Sequence, residues 1–176
     1  MPASCPTRTA PRIARDSEPY RDPGTRAEMV AADATPFTAD GTLRTRVEEI
    51  AAFAQLQGMK RLGIAFCVTM TKEAQQLSRQ LRARGFETEA VCCRVGAIDY
   101  DEIGLTKAHP ERFAAICNPI AQARLLDARH TDLVIQLGLC IGHDLILQRE
   151  CSAPVTTLVV KDRVHDHHSI AALRQP

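Results

Sequence analysis

The fold is decided by residues 62–67, which read Leu62-Gly63-Ile64-Ala65-Phe66-Cys67 and carry no charged side chain. A short apolar run of this kind is typical of a strand that is buried on both faces, as the strands of parallel sheets are. A helical pattern follows it, with apolar residues on one face from Ala74 to Leu81, and Gly85 ends that pattern. This stretch therefore predicts a buried strand followed by a covering helix.

The alternation of strand and helix continues along the chain. The predicted strands cover residues 62–67, 86–93, 113–117, 132–140 and 155–161. One further helix begins at Asn118-Pro119, where a capping residue precedes a proline, and a shorter one covers His143 to Arg149. Strands that alternate with helices build parallel sheets with right-handed crossovers. We therefore expect a doubly wound, Rossmann-like α/β domain with a mainly parallel five-stranded sheet and helices on both faces.

Residues 1–40 differ in composition from the rest of the chain. Six of the ten prolines lie within the first 36 residues and no apolar period is found there, so an irregular, flexible or wrapping arm is expected. Further on, apolar residues recur at the spacing of a core-facing helix, and they are Val47, Ile50, Ala51 and Ala54. The sequence thus predicts an arm over residues 1–40 and an α/β domain over residues 41–176.

The composition argues against several classes of protein. Hydrophobic residues make up 45% of the 176 residues and charged residues 24%, as in ordinary globular proteins. A net charge of +1 and the lack of Trp argue against a nucleic-acid partner, which needs a basic surplus or stacking rings. No segment has the roughly 20 apolar residues of a membrane span, and no signal-peptide pattern is present. We therefore expect a cytoplasmic protein that binds a small molecule; a homo-oligomer is left open.

Four of the five predicted strands end in cysteine. These residues are Cys67, the adjacent Cys92 and Cys93, Cys117 and Cys140. The carboxyl ends of parallel strands meet at one edge of the sheet, which is where doubly wound domains bind their ligands. In a reducing compartment, clustered thiols serve metals or redox chemistry more often than structural disulfides. The strand-end cysteines therefore predict a ligand site lined with thiols.

Two other interpretations of these cysteines stay open. Cysteine is a frequent small hydrophobic residue of protein cores, and neighbouring strand ends are close enough for a disulfide. Because adjacent strand residues point to opposite faces, only one of Cys92 and Cys93 is expected in the site, and the sequence does not say which. Cys5 and Cys151 are left without a role.

The spacing of the thiols bears on the kind of metal. Structural zinc is usually held by closely spaced Cys-x₂-Cys pairs, and the sequence has none. Four thiolates from four separate elements suit an iron–sulfur (4Fe–4S) cluster better, because a cluster is broader than a single ion. An iron–sulfur cluster is therefore the leading expectation and zinc is the alternative.

Polar residues next to these strand ends are candidates for catalysis and ligand binding. His143 is a candidate ligand or proton donor, and Asp144 is a candidate for fixing its tautomer. Arg163 follows the last predicted strand and is expected to hold an anionic substrate group. Asn118 and Gln122 present amides toward the same crevice and are candidate cofactor contacts. Structural roles remain alternatives, since Asn118 caps a helix and Asp144 stands in a first helical turn.

Six stretches of the sequence also carry a resemblance to a known family. The first three are Thr45-Arg46-Val47-Glu48-Glu49-Ile50, Gly63-Ile64-Ala65-Phe66-Cys67 and Val91-Cys92-Cys93-Arg94-Val95-Gly96. The other three are Cys117-Asn118-Pro119-Ile120-Ala121-Gln122-Ala123, Gly138-Leu139-Cys140-Ile141-Gly142-His143-Asp144 and Ala153-Pro154-Val155-Thr156-Thr157-Leu158-Val159-Val160-Lys161-Asp162-Arg163. From about residue 45 onward the chain resembles the bacterial and archaeal family named domain of unknown function 1847, described as uncharacterised metal-binding proteins. The resemblance implies a metal-linked site at the strand-end cysteines with His143 nearby, and it supplies no reaction. Family members often add an N-terminal cysteine-rich element, whereas only Cys5 precedes Cys67 here, so a second metal site is not expected.

Two classes of function follow from these features. The first is a cysteine-ligated metal or iron–sulfur protein with a small-ligand crevice, which as an enzyme would use redox or Lewis-acid chemistry. The second is a non-catalytic metal carrier or redox sensor that uses zinc or thiols alone. The sequence leaves open which of the two applies and whether the chain is an enzyme.

Overall fold

The computed structural model describes residues 2–174. The chain divides into two compact units, Met1–Gln57 and Gly58–Pro176. The predicted boundary between an arm over residues 1–40 and a domain over residues 41–176 is a different division, and it stays a prediction. Within residues 2–174, no helix combines the length and the apolar character that a bilayer crossing requires.

The first unit is helical, so the expectation that residues 1–40 are irregular is wrong, whereas a flexible or wrapping role for this segment stays a prediction. Its helices are α1 (Pro6–Thr9), α2 (Pro11–Ala14), α3 (Pro23–Ala34) and α4 (Arg46–Leu56), with a 3₁₀ turn at Glu18–Arg21. Three of the prolines that suggested irregular structure stand at the start of a helix. Proline is tolerated there because the first helical residues have no intrahelical acceptor for their N–H groups. The prolines therefore mark helix starts.

Helix α4 is the helix that the apolar stripe predicts. It begins with a capping box, in which the Thr45 side chain accepts the Glu48 backbone N–H and the Glu48 side chain bonds back to the Thr45 backbone. Ile50, Ala51 and Ala54 of the stripe are all buried. The spacing of these apolar residues therefore predicted both the helix and its buried face.

The second unit contains a four-stranded parallel sheet. Its strands are β1 (Arg61–Phe66), β2 (Glu87–Cys92), β3 (Leu133–Leu137) and β4 (Val155–Val159), in the spatial order β2-β1-β3-β4. β1 pairs with β2 on one side and with β3 on the other, and β3 pairs with β4. Leu62, Ile64 and Ala65 of β1 are fully buried, as expected for a central strand.

One helix joins each pair of consecutive strands. They are α5 (Thr71–Arg82), α6 (Pro119–Ala128) and α7 (His143–Glu150). The chain leaves β1 toward one edge of the sheet and then returns past it to β3 and β4. Right-handed crossovers therefore place α5 on one face and α6 with α7 on the other. This confirms a doubly wound α/β fold, in which the winding reverses between β1 and β3.

The predicted strand at residues 113–117 does not exist, so the sheet has four strands and not five. This segment instead pairs with residues 98–100, where Tyr100 N–H donates to Ala114 O at 3.1 Å and Ile116 N–H donates to Ile98 O at 2.9 Å. Phe113, which a buried strand would cover, is 65% exposed. The backbone groups of this apolar segment are thus paired within the long loop and not with the sheet.

Gly138 directly follows β3, and its substitution tests how tightly this edge of the sheet is packed. Its φ is +61°, and an added Cβ would overlap the Met70 sulfur. Gly138→Ala should lower the free energy of unfolding by about 3 kcal/mol, the sum of left-handed strain and overpacking. Urea unfolding followed by circular dichroism measures this loss.

Gly85→Ala is the matched control. Gly85 has a φ of +89° with open space around its Cβ position, so only the strain of about 1–2 kcal/mol is expected. Equal losses in the two variants would contradict the close contact between Gly138 and Met70.

Candidate thiol site

Cys67 and Cys93 lie side by side at the carboxyl edge of the sheet. Each follows directly after a strand, and Phe66 at the end of β1 is in register with Cys92 at the end of β2. Cys93 N–H donates to Phe66 O at 2.8 Å, which carries the alignment past the strand ends. Neighbouring strands lie about 4.8 Å apart, so the two cysteines are lateral neighbours. Both pack in the core cluster on the face that α6 covers.

Cys117 joins this pair from outside the sheet. Its Sγ lies 3.7 Å from Cys93 Sγ. It stands on the loop before α6, where Asn118 N–H donates to Cys93 O at 2.6 Å and so fixes the loop beside the end of β2. Cys117 thus lies beside Cys93, although the strand expected to carry it is absent, and its role as a metal ligand stays a prediction.

The environment of Cys93 keeps its thiol protonated. The side chain is 2% exposed, and burial raises its pKa to about 12. The Val68 N–H, at 3.3 Å from Cys93 Sγ, opposes this rise, while the neighbouring Cys117 and Cys67 add to it. Cys93 is therefore a neutral thiol at physiological pH.

The environment of Cys67 has the opposite effect. Burial raises its pKa, but hydrogen bonds from Lys161 and Thr69 outweigh burial and lower the pKa to about 7. Lys161 Nζ lies 2.8 Å from Cys67 Sγ, and Thr69 Oγ1 lies 3.2 Å from the same sulfur. A thiol with this pKa is about half ionised at neutral pH. Cys67 is thus the sulfur of this group best suited to act as a nucleophile.

Lys161 was not predicted as a site residue. It lies two residues beyond the last residue of β4, at the same edge of the sheet as the thiols. That position is the signal by which the sequence alone could have indicated it.

A second cation contacts the fourth thiol of the edge. Arg163 Nη2 lies 3.1 Å from Cys140 Sγ. Between the two cations, the Asp162 carboxylate accepts the backbone N–H groups of Val164 and His165 at 3.0 Å and also contacts the His165 ring. These hydrogen bonds lower the pKa of Asp162. Arg163, expected to hold an anionic substrate, thus contacts a thiol of the protein itself.

His143 and Asp144 begin α7, as the sequence predicts. Their backbone N–H groups donate to Cys140 O at 3.0 and 3.1 Å. The Asp144 carboxylate accepts the N–H of Leu145 at 2.8 Å. Among the hydrogen bonds of residues 2–174 there is none between Asp144 and the His143 ring, so the expected tautomer contact is absent from this arrangement. The catalytic roles of His143 and Asp144 stay predictions.

Asn118 and Gln122 both support the thiol edge structurally. Asn118 Oδ1 accepts the Ala121 N–H at 3.0 Å and caps α6. Gln122 is fully buried, and its Nε2 donates to Phe66 O at 3.2 Å and to Val91 O at 2.8 Å. Gln122 Oε1 has no hydrogen-bond partner within the described part of the chain. The expected roles of both amides as cofactor contacts stay predictions.

The remaining cysteines are Cys92, Cys151 and Cys5, of which the first two pack against the same core cluster as Cys67 and Cys93. Cys92 lines a shallow pocket of about 420 Å³ with Arg94 and Arg129 at the β2 edge. Cys151 follows α7, and burial together with the Asp127 charge raises its pKa to about 11. Cys5 lies in the first unit, where hydrogen bonds with Thr7 lower its pKa. Of the adjacent cysteines Cys92 and Cys93, Cys93 is the one whose sulfur contacts that of Cys117.

The thiols match a metal centre in chemistry but not in arrangement. Two thiolates on one tetrahedral zinc ion, each about 2.3 Å from the metal, are about 3.8 Å apart, close to the 3.7 Å between Cys93 and Cys117 sulfurs. Yet residues 2–174 contain no group of three or more His, Cys, Asp or Glu side chains placed to hold an ion. Cys67 and Cys140 contact cations instead. As arranged, these residues do not fit a complete metal or cluster shell.

Comparison with known proteins relates the chain to proteins without an assigned activity. The family model described as Protein of unknown function (DUF1847) matches residues 5–158. The chain is also 45% identical over 130 residues to Uncharacterized protein MJ0455 of Methanocaldococcus jannaschii, covering 74% of this chain and 67% of that protein. No solved structure matches. None of these descriptions names a substrate or a reaction.

The pKa of Cys67 gives a test of the Lys161 contact. Alkylation of Cys67 by iodoacetamide should rise with pH with a midpoint of about 7, because the thiolate is the reactive form. Lys161→Gln should move the midpoint toward the ordinary value of about 8.5 and slow alkylation at pH 7 by about tenfold. Peptide mapping by mass spectrometry follows Cys67 separately from the other cysteines.

Lys72→Gln, which removes an exposed lysine of α5, is the control and should leave the midpoint unchanged. A midpoint that is the same in the wild type and in Lys161→Gln would refute the role given to Lys161.

Proposed function

This chain belongs to the family described as Protein of unknown function (DUF1847), and we propose from its own site that it is a thiol redox protein in which Cys67 and Cys93 interconvert between dithiol and disulfide. The observation that carries the proposal is the 2.8 Å contact between Lys161 Nζ and Cys67 Sγ, beside a second thiol on the adjacent strand. A stabilised thiolate next to a neutral thiol is the arrangement that thiol–disulfide exchange requires.

The reaction proceeds in two steps with a small-molecule disulfide as the oxidant. The Cys67 thiolate attacks one sulfur of that disulfide, a mixed disulfide forms at Cys67, and the first thiolate leaves. The Cys93 thiol then loses its proton and attacks the Cys67 sulfur, so that the Cys67–Cys93 bond forms and the second thiol leaves with that proton. The protein is oxidised by two electrons, and the small-molecule disulfide is reduced to two thiols.

The surroundings of the pair suit this chemistry. Neighbouring strand ends have Cα separations within the range of about 4.4–6.8 Å that disulfides require. The cations at the edge attract small anionic disulfides, which is the ligand class that we propose. A reversible dithiol also suits a reducing compartment, and we propose the cytoplasm as its location. These features describe a redox sensor or an oxidoreductase equally well.

A second candidate function is the binding of a thiophilic metal centre. The 3.7 Å separation of the Cys93 and Cys117 sulfurs supports it, as does the all-sulfur donor set at this edge. An iron–sulfur cluster is the leading form and zinc the alternative. Cys67 and Cys140 would join these two as ligands only after parting from Lys161 and Arg163.

The redox proposal is tested by counting the thiols released from a small disulfide. Wild-type protein, reduced and purified without oxygen, should release two thiols per chain from oxidised glutathione. Cys93→Ser should release one thiol and retain a glutathione adduct on Cys67, because the second attack is lost. Cys67→Ser should release none from this site. Thiol release and intact-protein mass provide the two measurements.

Cys151→Ser serves as the control and should behave as the wild type, since burial and the Asp127 charge raise the pKa of Cys151 to about 11 and keep it an unreactive thiol. Release of two thiols by Cys67→Ser would disprove the proposed pair. Metal analysis and the absorption spectrum of the same anaerobic preparation test the second candidate: iron with sulfide supports a cluster, stoichiometric zinc supports a zinc site, and a metal-free protein argues against both.

A further inference from the structure

Cys93 has two sulfur neighbours that approach it from different elements. Cys67 lies beside it across the parallel pairing of β1 and β2. Cys117 lies on the loop before α6, with its sulfur 3.7 Å from that of Cys93. The exchange between Cys67 and Cys93 makes no use of Cys117, although the Cys93–Cys117 pair is the one whose sulfurs are in direct contact. A disulfide at Cys93 therefore lies next to a third thiol.

We infer that Cys117 is a third catalytic cysteine, which takes the disulfide over from Cys67 and leaves Cys93–Cys117 as the final oxidised pair. This inference rests on the proposed function, because the Cys67–Cys93 disulfide is its starting point. Cys67 then acts as the point of entry for oxidation, and the transfer sets its thiolate free again.

The transfer is a balanced exchange within one chain. The Cys117 thiol, which is only partly buried, gives up its proton to solvent, and its sulfur attacks Cys93 Sγ. The Cys93–Cys117 bond forms while the Cys67–Cys93 bond breaks, and the electron pair of the broken bond leaves on Cys67 Sγ. The number of disulfides is unchanged, so no further oxidant or reductant is consumed.

The positions of the three sulfurs favour this step. A disulfide bond is about 2.05 Å long, so the sulfurs of Cys93 and Cys117, now 3.7 Å apart, have to approach by about 1.7 Å. Cys117 stands on a loop segment outside the paired strands, and side-chain rotation with a small loop shift supplies this movement. Asn118 N–H, bonded to Cys93 O at 2.6 Å, keeps the two backbones together meanwhile.

Charge determines the direction of the transfer. In the Cys67–Cys93 disulfide, the Lys161 ammonium has lost its thiolate partner in a half-buried position, which is unfavourable. In the Cys93–Cys117 disulfide, Cys67 is again a thiolate and the ion pair with Lys161 is restored.

The experiment maps the disulfide after reaction with oxidised glutathione. In the wild type, peptide mapping should find Cys93 bonded to Cys117, and iodoacetamide should still alkylate Cys67. In Cys117→Ser the disulfide should stay at Cys67–Cys93, and alkylation of Cys67 should fall at least about tenfold relative to the oxidised wild type. Cys140→Ser is the matched control and should give the wild-type map.

The outcomes separate this inference from the proposed function. Both the wild type and Cys117→Ser should release two thiols per chain, since entry and resolution need only Cys67 and Cys93. A wild-type protein that releases two thiols but retains Cys67–Cys93 as its disulfide would overturn the inference and leave the proposed function intact. Failure to release thiols at all would overturn both. The wild-type map decides the question even where Cys117→Ser does not fold.

Discussion

Parallel pairing of β1 with both of its neighbours is the constraint on which the site depends. Because β1 is central, the residues that follow β1 and β2 are held side by side, and Cys67 and Cys93 become neighbours across 26 positions of sequence. The winding of the chain then brings the loop before α6 onto the same face. None of the three thiols is close to another in sequence, so their proximity is a property of the sheet and of the loop that precedes α6.

The same edge gives neighbouring thiols opposite chemical character. Cys93 receives a backbone N–H and otherwise faces apolar groups and other sulfurs, which favours its neutral form. Cys67 receives the Lys161 ammonium and the Thr69 hydroxyl, which favour its anion. A difference of this kind requires only one well-placed cation. The Lys161 cation is the reason why Cys67 differs from Cys93 and Cys151, whose pKa values are raised by burial.

The sequence predicted the fold class well because the decisive signals were local. The apolar run at residues 62–67 is enough to indicate a buried strand, and the pair Asn118-Pro119 is enough to indicate the start of a helix. The strand predicted at residues 113–117 is wrong because an apolar run indicates burial but does not identify the segment with which it pairs. Here that segment is the loop at residues 98–100. Cys93 and Cys117 were indicated by position along the repeat. Lys161 was missed because its contact with Cys67 depends on tertiary structure.

The distance along the chain between Lys161 and Cys67 has a consequence for biosynthesis. The two residues are 94 positions apart, and the strand that delivers the lysine is the last of the sheet to leave the ribosome. A nascent chain that still lacks this strand exposes Cys67 only as an ordinary, weakly reactive sulfhydryl. Cys67 therefore becomes nucleophilic only when the sheet is complete. Until then, the unfinished chain, which contains up to seven cysteines, is protected from premature oxidation and from wrong disulfide pairing.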